Sequence, residues 1–152
     1  GHCVGGGILS AVGCDLRIAA DNTRFAIPEV DLGIPLAWGG IPRLVREVGP
    51  AVTRELVMTC RPFDAVEAQS LGMVNRVVPL DRLRIETDEL AASLAAKPVS
   101  LLRTTKRQVQ EATEDMVSTQ SGWTASAHLA VALADPEARA AASAYLAGRG
   151  GR

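Results

Sequence analysis

A glycine triplet near the start of the chain has the features of a backbone hydrogen-bond donor site. Gly5, Gly6 and Gly7 stand directly before a short apolar stretch that predicts about two turns of helix. Because glycine has no Cβ, such a triplet can bring a bare N–H against a ligand oxygen. A donor of this kind stabilises an oxyanion, and removing one typically costs about 2.7–4 kcal/mol of transition-state stabilisation. A flexible turn that permits close packing is the alternative, and the triplet alone leaves both interpretations open.

A glutamate among apolar residues is the second candidate. Glu29 is flanked by Ile27, Pro28 and Val30. If this loop packs inward, the carboxylate loses solvent, and its pKa rises toward the range that suits a general base. The alternative is a solvated loop acid or a helix cap.

Other chemistries fit the residues less well. Gly5 and Gly7 followed by a helix imitate a dinucleotide-binding fingerprint, but Ser10 takes the place of the last glycine and Asp21 comes too early for the ribose-binding acid. No set of His, Cys, Asp and Glu has zinc-ligand spacing, so no metal site is predicted. The two histidines, His2 and His128, are interpreted as surface or packing residues.

Composition narrows the choice further. The 152 residues are 47% hydrophobic and carry 16 basic and 17 acidic side chains, for a net charge of −1. This balance argues against nucleic acid or an anionic membrane as a partner. No apolar run reaches the roughly 18 residues of a membrane span. Three cysteines without C-x-x-C spacing predict reduced thiols and a cytoplasmic location.

Residues 1–79 are predicted to mix helices and strands around the two candidate segments. The turn residues Asp21 and Asn22 between two predicted strands suggest that these strands are neighbours. The predicted elements are a helix at 8–13, strands at 16–20 and 24–27, a loop at 28–40, helices at 41–48 and 51–59 separated by Gly49-Pro50, a helix opened by a capping box at Asp64, and a strand at 73–78.

Residues 80–152 are predicted to be all helical. Pro98 separates two helices, and a third is expected to cover about 114–133. Asp135 followed by Pro136 predicts the cap and first position of a last helix, which ends near Leu146. The glycine-rich residues 148–152 are expected to fray.

Taken in order, the segments resemble the enoyl-CoA hydratase/isomerase (crotonase) family over essentially the whole chain. The segments that carry the resemblance are GHCVGGG at 1–7, CDLRIA at 14–19, FAIPE at 25–29, LGIP at 32–35, GGIPRL at 39–44, AVEA at 65–68, LGMVNRVVP at 71–79, KP at 97–98 and YL at 145–146.

The resemblance implies an α/β fold: a crotonase-like spiral of ββα turns, of which this chain is the second half, followed by a helical region that forms trimers. Residues 1–79 belong to the spiral and residues 80–152 to the helical region. The implied substrate is an acyl-CoA thioester, so coenzyme A belongs to the substrate and no further cofactor is expected. The implied assembly is a homotrimer or hexamer.

The family pattern also assigns roles to individual residues. Gly6 resembles one donor of the oxyanion hole, whereas the segment holding the second donor has no counterpart in this sequence. Glu29 matches the catalytic acid of the Pro-Glu loop. The hydratases of the family resemble two-carboxylate enzymes, and the position of their other glutamate is Leu9 here.

A single carboxylate suits a 1,3 proton shift better than hydration. Double-bond isomerisation by Glu29 is therefore the leading hypothesis. Enoyl-CoA hydration with one glutamate is the second, and a truncated, non-catalytic member that retains only an oligomerisation surface is the third.

The remaining substrate contacts are also implied by the resemblance. Gly5, Gly7 and Leu9 border the thioester site. Trp38 lines the acyl pocket or simply packs. Tyr145 matches an aromatic residue that in relatives approaches the adenine of a neighbouring subunit, although Gly148 replaces the lysine that commonly follows it.

Overall fold

The computed structural model describes residues 1–149, in which short strands and helices are interspersed up to Val78 and only helices follow. The strands are β1 (His2–Val4), β2 (Ile18–Ala20), β3 (Arg24–Ala26), β4 (Phe63–Asp64) and β5 (Arg76–Val78). The α-helices are α1 (Gly6–Val12), α2 (Gly40–Thr59), α3 (Ala65–Ser70), α4 (Leu83–Ala95), α5 (Val99–Met116), α6 (Ala125–Ala134) and α7 (Pro136–Arg149). Short 3₁₀ helices cover Leu80–Arg82 and Gln120–Thr124.

The strands of the described residues form two small sheets. In one sheet β3 lies between β1, which is parallel to it, and β4, which is antiparallel. The other sheet pairs β2 with β5 in parallel. The predicted neighbourhood of β2 and β3 is therefore wrong: the turn at Asp21 and Asn22 carries the chain from one sheet to the other. β3 already has a partner at each edge, β1 and β4, and β2 pairs with β5 in the other sheet.

One apolar core holds both candidate segments in place. Its fully buried side chains include Ile8, Ile27, Leu44, Leu56 and Met73. Burying one such side chain is worth about 1.5–3 kcal/mol. Ile8 directly follows the glycine triplet, and Ile27 stands two residues before Glu29, so the same core anchors the two segments.

The helix signals in the first region are confirmed. Gly49 interrupts α2 with φ 78° and ψ 167°, which separates the two predicted helices. At the start of α3, the Asp64 side chain accepts a hydrogen bond from the Glu67 N–H at 2.9 Å. The Glu67 carboxylate binds the Arg61 guanidinium instead of completing the capping box.

The boundaries in the helical region differ from those predicted. The third helix was predicted at 114–133, but α5 continues to Met116 and α6 begins only at Ala125. The chain breaks there because the Glu114 carboxylate accepts from the Thr119 N–H at 2.7 Å and also binds Arg46 of α2.

The last helix starts as predicted and ends later. Asp135 caps it by accepting from the Glu137 N–H at 2.8 Å. Helix α7 continues through Gly148 to Arg149 rather than ending near Leu146. Residues 150–152, which were expected to fray, lie outside the described residues. None of the helices within residues 1–149 is long and apolar enough to cross a membrane.

Candidate active site

The glycine triplet forms a tight turn between β1 and α1. Gly5 has φ 53° and ψ −119°, a conformation that glycine adopts readily and other residues avoid. Its N–H donates to the Ala26 carbonyl at 2.9 Å, and its own carbonyl accepts from the Ile8 N–H at 2.9 Å. Gly6 is the first residue of α1, where a helix offers no internal acceptor. Its N–H has no protein acceptor within residues 1–149.

Glu29 lies in a single helical turn that follows β3. The Ile34 N–H donates to the Glu29 carbonyl, and the Gly33 N–H donates to the Val30 carbonyl, both at 2.9 Å. These two bonds, with Gly33 at φ 69°, form a Schellman motif. The glutamate therefore starts a turn of defined geometry rather than a loose loop.

The fold brings the glycine turn and the glutamate into contact. A Cβ built on Gly5 would lie 2.8 Å from Glu29 Oε1. The carboxylate therefore occupies the space that any other residue at position 5 would fill. This contact places a potential base beside the turn that presents the Gly6 N–H.

The environment of the Glu29 carboxylate favours its neutral form. The residue as a whole is half-buried, but its Oε2 atom is buried and has no hydrogen-bond partner among the described residues. Burial raises the pKa of Glu29, and its own backbone N–H acts weakly in the opposite direction. A carboxylate that takes up protons more readily than usual is suited to move a proton near neutral pH.

Trp38 lies next to Gly6, the second glycine of the triplet. A Cβ built on Gly6 would lie 3.1 Å from Cζ3 of the Trp38 ring. Trp38 has a positive φ of 55°, yet 76% of its surface is exposed. Its carbonyl accepts from Arg43 Nη1 at 3.0 Å. Trp38 and Glu29 thus border two consecutive glycines.

Leu9 faces the core and offers no carboxylate. It is 9% exposed, and a Cβ built on Gly40 would lie 2.6 Å from Leu9 Cδ2. The side chain therefore fills the space between α1 and the start of α2.

The chain is similar to known proteins over most of its length. The family model described as enoyl-CoA hydratase/isomerase matches residues 1–146. The chain belongs to this family. A probable enoyl-CoA hydratase, echA8, of Mycobacterium bovis is 40% identical over 118 residues, which are 78% of this chain and 46% of that protein. The short-chain-enoyl-CoA hydratase of Clostridioides difficile is 40% identical over 114 residues, 75% of this chain and 74% of that protein.

Solved structures of enoyl-CoA hydratase/isomerase family proteins share the fold. The enoyl-CoA hydratase/isomerase of Pseudoalteromonas atlantica T6c superposes with a TM-score of 0.87 and 26% identity, over 97% of this chain and 59% of that one. These comparisons confirm the predicted family and its crotonase-like fold. The chain spans about half the length of the first curated relatives it matches. That it is the second half of the spiral, and that its helices form trimers, stay predictions.

The other predicted substrate residues are more dispersed. Gly7 is exposed, and a Cβ on it would lie 3.9 Å from Cys3 Sγ. Tyr145 is half-buried on α7, about two turns beyond Ala138. His2 is exposed on β1, and His128 of α6 borders a cavity. Among the described residues, no three His, Cys, Asp or Glu side chains are grouped to hold a metal ion.

Sequence reasoning missed two contacts that support the Glu29 turn in this enoyl-CoA hydratase/isomerase family protein. Backbone N–H groups of Val30 and Asp31 face the buried Sγ of Cys60, at the end of α2. From the other side, α7 approaches Gly33 so closely that a Cβ there would overlap the Ala138 carbonyl. In the sequence, only a glycine without an evident role hints at such contacts, and Gly33 stands there as part of the predicted loop and of the LGIP segment.

Beside the contact between Gly33 and Ala138, a cavity of about 590 Å³ lies between the Glu29 turn and the last helices. Val30, Ile34 and Pro35 border it on one side, and residues of α6 and α7 border it on the other. Most of its lining is apolar, so it offers space for a hydrocarbon group next to the turn.

Proposed function

We propose that this chain carries half of the active site of an acyl-CoA thioester enzyme, with Glu29 as its general base. The observation that carries the proposal is the position of the Glu29 carboxylate against the Gly5 turn, with its Oε2 atom buried and unpartnered among the described residues. The free N–H of Gly6 then serves as a donor to the thioester oxygen. Because α1 has only seven residues, this role depends on the local N–H rather than on a helix dipole.

The leading reaction is a shift of a carbon–carbon double bond. The Glu29 carboxylate takes a proton from C2 of a 3-enoyl thioester, and the electron pair moves toward the thioester oxygen. The resulting dienolate is held by the Gly6 N–H. Protonated Glu29 then gives its proton to C4, which leaves the double bond between C2 and C3 and restores the carboxylate.

The buried position of Leu9 favours this one-base reaction. Addition of water needs one group to hold the water and another to move protons, as in two-carboxylate hydratases. Leu9 packs against the start of α2 and can do neither. Glu29 alone suffices for the double-bond shift because it takes and returns the same proton.

Hydration of an enoyl-CoA is the second candidate, and the relatives favour it. Proteins 40% identical to this chain are named crotonyl-CoA hydratase in Syntrophomonas wolfei and short-chain-enoyl-CoA hydratase in Clostridioides difficile. In this reaction, Glu29 would work with an acid from outside the described residues.

The matched share of the relatives supports a divided site. Because the chain matches 46% of the echA8 protein, we propose that the second oxyanion donor and most of the coenzyme A surface come from an upstream segment or a partner chain. We also propose a homotrimer or hexamer formed through the helical region, and no cofactor beyond the coenzyme A of the substrate. The free thiols Cys3, Cys14 and Cys60 support a cytoplasmic location.

The test measures both reactions in the full-length protein. Formation of 2-enoyl-CoA from 3-hexenoyl-CoA reports isomerisation, and loss of crotonyl-CoA reports hydration. We expect Glu29→Gln to lower kcat by about 10²–10⁴-fold, the usual contribution of a general base. Glu89→Gln, an exposed acid on α4, is the matched control and should retain full activity.

Four outcomes separate the hypotheses. Isomerisation that depends on Glu29 supports the leading reaction, and hydration without isomerisation supports the second. Full activity of Glu29→Gln would contradict both. If calorimetry detects no binding of crotonyl-CoA and neither reaction occurs, the protein is a non-catalytic member of the family.

A further inference from the structure

We propose that Trp38 is a specificity-determining residue that selects acyl groups unbranched next to the thioester carbonyl. The inference rests on the proposed function, since it needs the thioester oxygen at the Gly6 N–H. It goes beyond that function because it names the class of acyl group that the site accepts.

The position of the Trp38 ring is the first argument. Its Cζ3 atom lies against Gly6, 3.1 Å from the place of a Cβ. A carbonyl oxygen bound to the Gly6 N–H would have its carbon atoms C2 and C3 within reach of the same ring, because the donor and the contact belong to one residue. The indole would therefore stand beside the atoms nearest the thioester.

The rigidity of the Trp38 backbone is the second argument. A bulky residue at positive φ costs on the order of 1–3 kcal/mol and persists only where its surroundings fix it. Arg43 holds the Trp38 carbonyl, and the next residue, Gly39, also has a positive φ of 67°. A Cβ built on Gly122 would lie 3.0 Å from the Gly39 Cα, so the 3₁₀ helix packs closely on this segment. These contacts fix the backbone from which the ring projects.

The exposure of the ring is the third argument. An aromatic side chain buries 150–250 Å² when it is covered, whereas 76% of Trp38 remains exposed. This leaves a broad apolar surface directly beside a free hydrogen-bond donor. A planar, straight acyl group covers such a surface, whereas a methyl branch at C2 would collide with it.

The test compares two acyl groups of equal composition. Butyryl-CoA is straight and isobutyryl-CoA is branched at C2. We expect calorimetry on the full-length protein to show at least tenfold tighter binding of butyryl-CoA, since one methyl group in a fitted pocket is worth 10–200-fold. Trp38→Ala should reduce the preference below about threefold, and Trp38→Phe, which keeps a flat ring, should retain most of it.

A matched control and a second readout keep the test decisive. Met58→Ala, which alters an exposed apolar residue near the end of α2, should leave the preference unchanged. In a Trp123→Phe protein, Trp38 is the single tryptophan, and butyryl-CoA should change its fluorescence with the same dissociation constant.

The outcomes separate this inference from the proposed function. Binding of both ligands with equal affinity, or a preference that Trp38→Ala retains, overturns the role of Trp38 alone. If neither acyl-CoA binds, the proposed function falls, and the inference falls with it.

Discussion

At the scale of single residues, the site depends on the contact between Gly5 and Glu29. The glycine conformation lets the turn pass beside the carboxylate, and the lack of a Cβ leaves room for Oε1. The other oxygen, Oε2, is buried without a hydrogen-bond partner among the described residues. The fold therefore buries an oxygen of the Glu29 carboxylate, at a cost in stability, where the proposed reaction moves a proton.

This arrangement predicts that Glu29 lowers the stability of the folded protein at neutral and alkaline pH. The pKa of Glu29 is raised above its ordinary value of 4.5, so the folded state binds the proton more tightly than the unfolded state. Stability from this group is present below pH 4.5 and is lost as the pH rises through the raised pKa.

The measurement is urea unfolding of the wild type and Glu29→Gln at several pH values between 4 and 8. We expect the neutral variant to gain in free energy of unfolding relative to the wild type as the pH rises, and the gain to level off above the raised pKa. Glu89→Gln should show no such trend. Parallel curves for wild type and Glu29→Gln would contradict the prediction.

The sequence indicated the chemical roles of the glycine triplet and Glu29, but it did not indicate that Gly5 and Glu29 are in contact. Apolar neighbours of Glu29 indicated a desolvated carboxylate, and the triplet indicated a free N–H. Nothing in the spacing of the two segments states that Gly5 faces Glu29, because that depends on the parallel pairing of β1 with β3. The positive φ of Trp38 was equally hidden, since bulky residues rarely adopt it.

At the scale of elements, three parts of the chain hold the Glu29 turn. The Gly5 turn lies on one side, Cys60 at the end of α2 lies on another, and Ala138 of α7 closes the third. Each support comes from a different element. The base is therefore positioned by tertiary packing rather than by its own short turn.

The contact with α7 predicts unequal effects of two similar substitutions. Gly33 and Gly72 both close a Schellman motif with positive φ. A Cβ on Gly72 would meet the Glu47 carbonyl at an ordinary 3.6 Å, whereas one on Gly33 would overlap the Ala138 carbonyl. We expect Gly72→Ala to lose about 1–2 kcal/mol from backbone strain. Gly33→Ala should lose about 1–3 kcal/mol more from overpacking.

Urea unfolding of the two variants checks the difference. Gly33→Ala should also lower kcat, because the displaced turn carries Glu29, whereas Gly72→Ala should leave kcat of the folded protein nearly unchanged. Equal losses of stability would show that α7 does not press on the turn.

Local signals predicted elements well where a side chain acts on its own helix. Asp64 and Asp135 cap as their sequence context indicates, and Gly49 separates two helices. Prediction failed where the end of a helix or the partner of a strand depends on a residue far away in the sequence. The end of α5 depends on the ion pair between Glu114 and Arg46 of α2. The partner of β2 is β5, more than fifty residues further along the chain.

At the scale of the whole molecule, the last helices leave apolar surface uncovered. Within the described residues of α5 no side chain is buried. Leu102, Val109 and Met116 recur every seven residues on one face, and all three are exposed. A stripe of this kind supports the proposed homo-oligomer.

The proposed homo-oligomer predicts that a charge on this stripe weakens assembly. Val109→Asp would bury a carboxylate at the interface without a partner, which is strongly unfavourable. We expect association to weaken at least tenfold, measured by sedimentation velocity over a range of concentrations.

Gln110→Asp is the matched control, because Gln110 is next to Val109 in the chain and its own side chain is already polar and exposed. It should sediment like the wild type. If Val109→Asp sediments like the wild type as well, this face does not hold the subunits together.

The contact between Gly33 and Ala138 also has a consequence for synthesis of the protein. The two residues are 138 − 33 = 105 positions apart. At 5–20 residues per second, the ribosome makes the second about 5–20 s after the first. During that interval the turn that carries Glu29 lacks its contact with α7, so a nascent chain holds Gly6 and Glu29 before it has the geometry to use them.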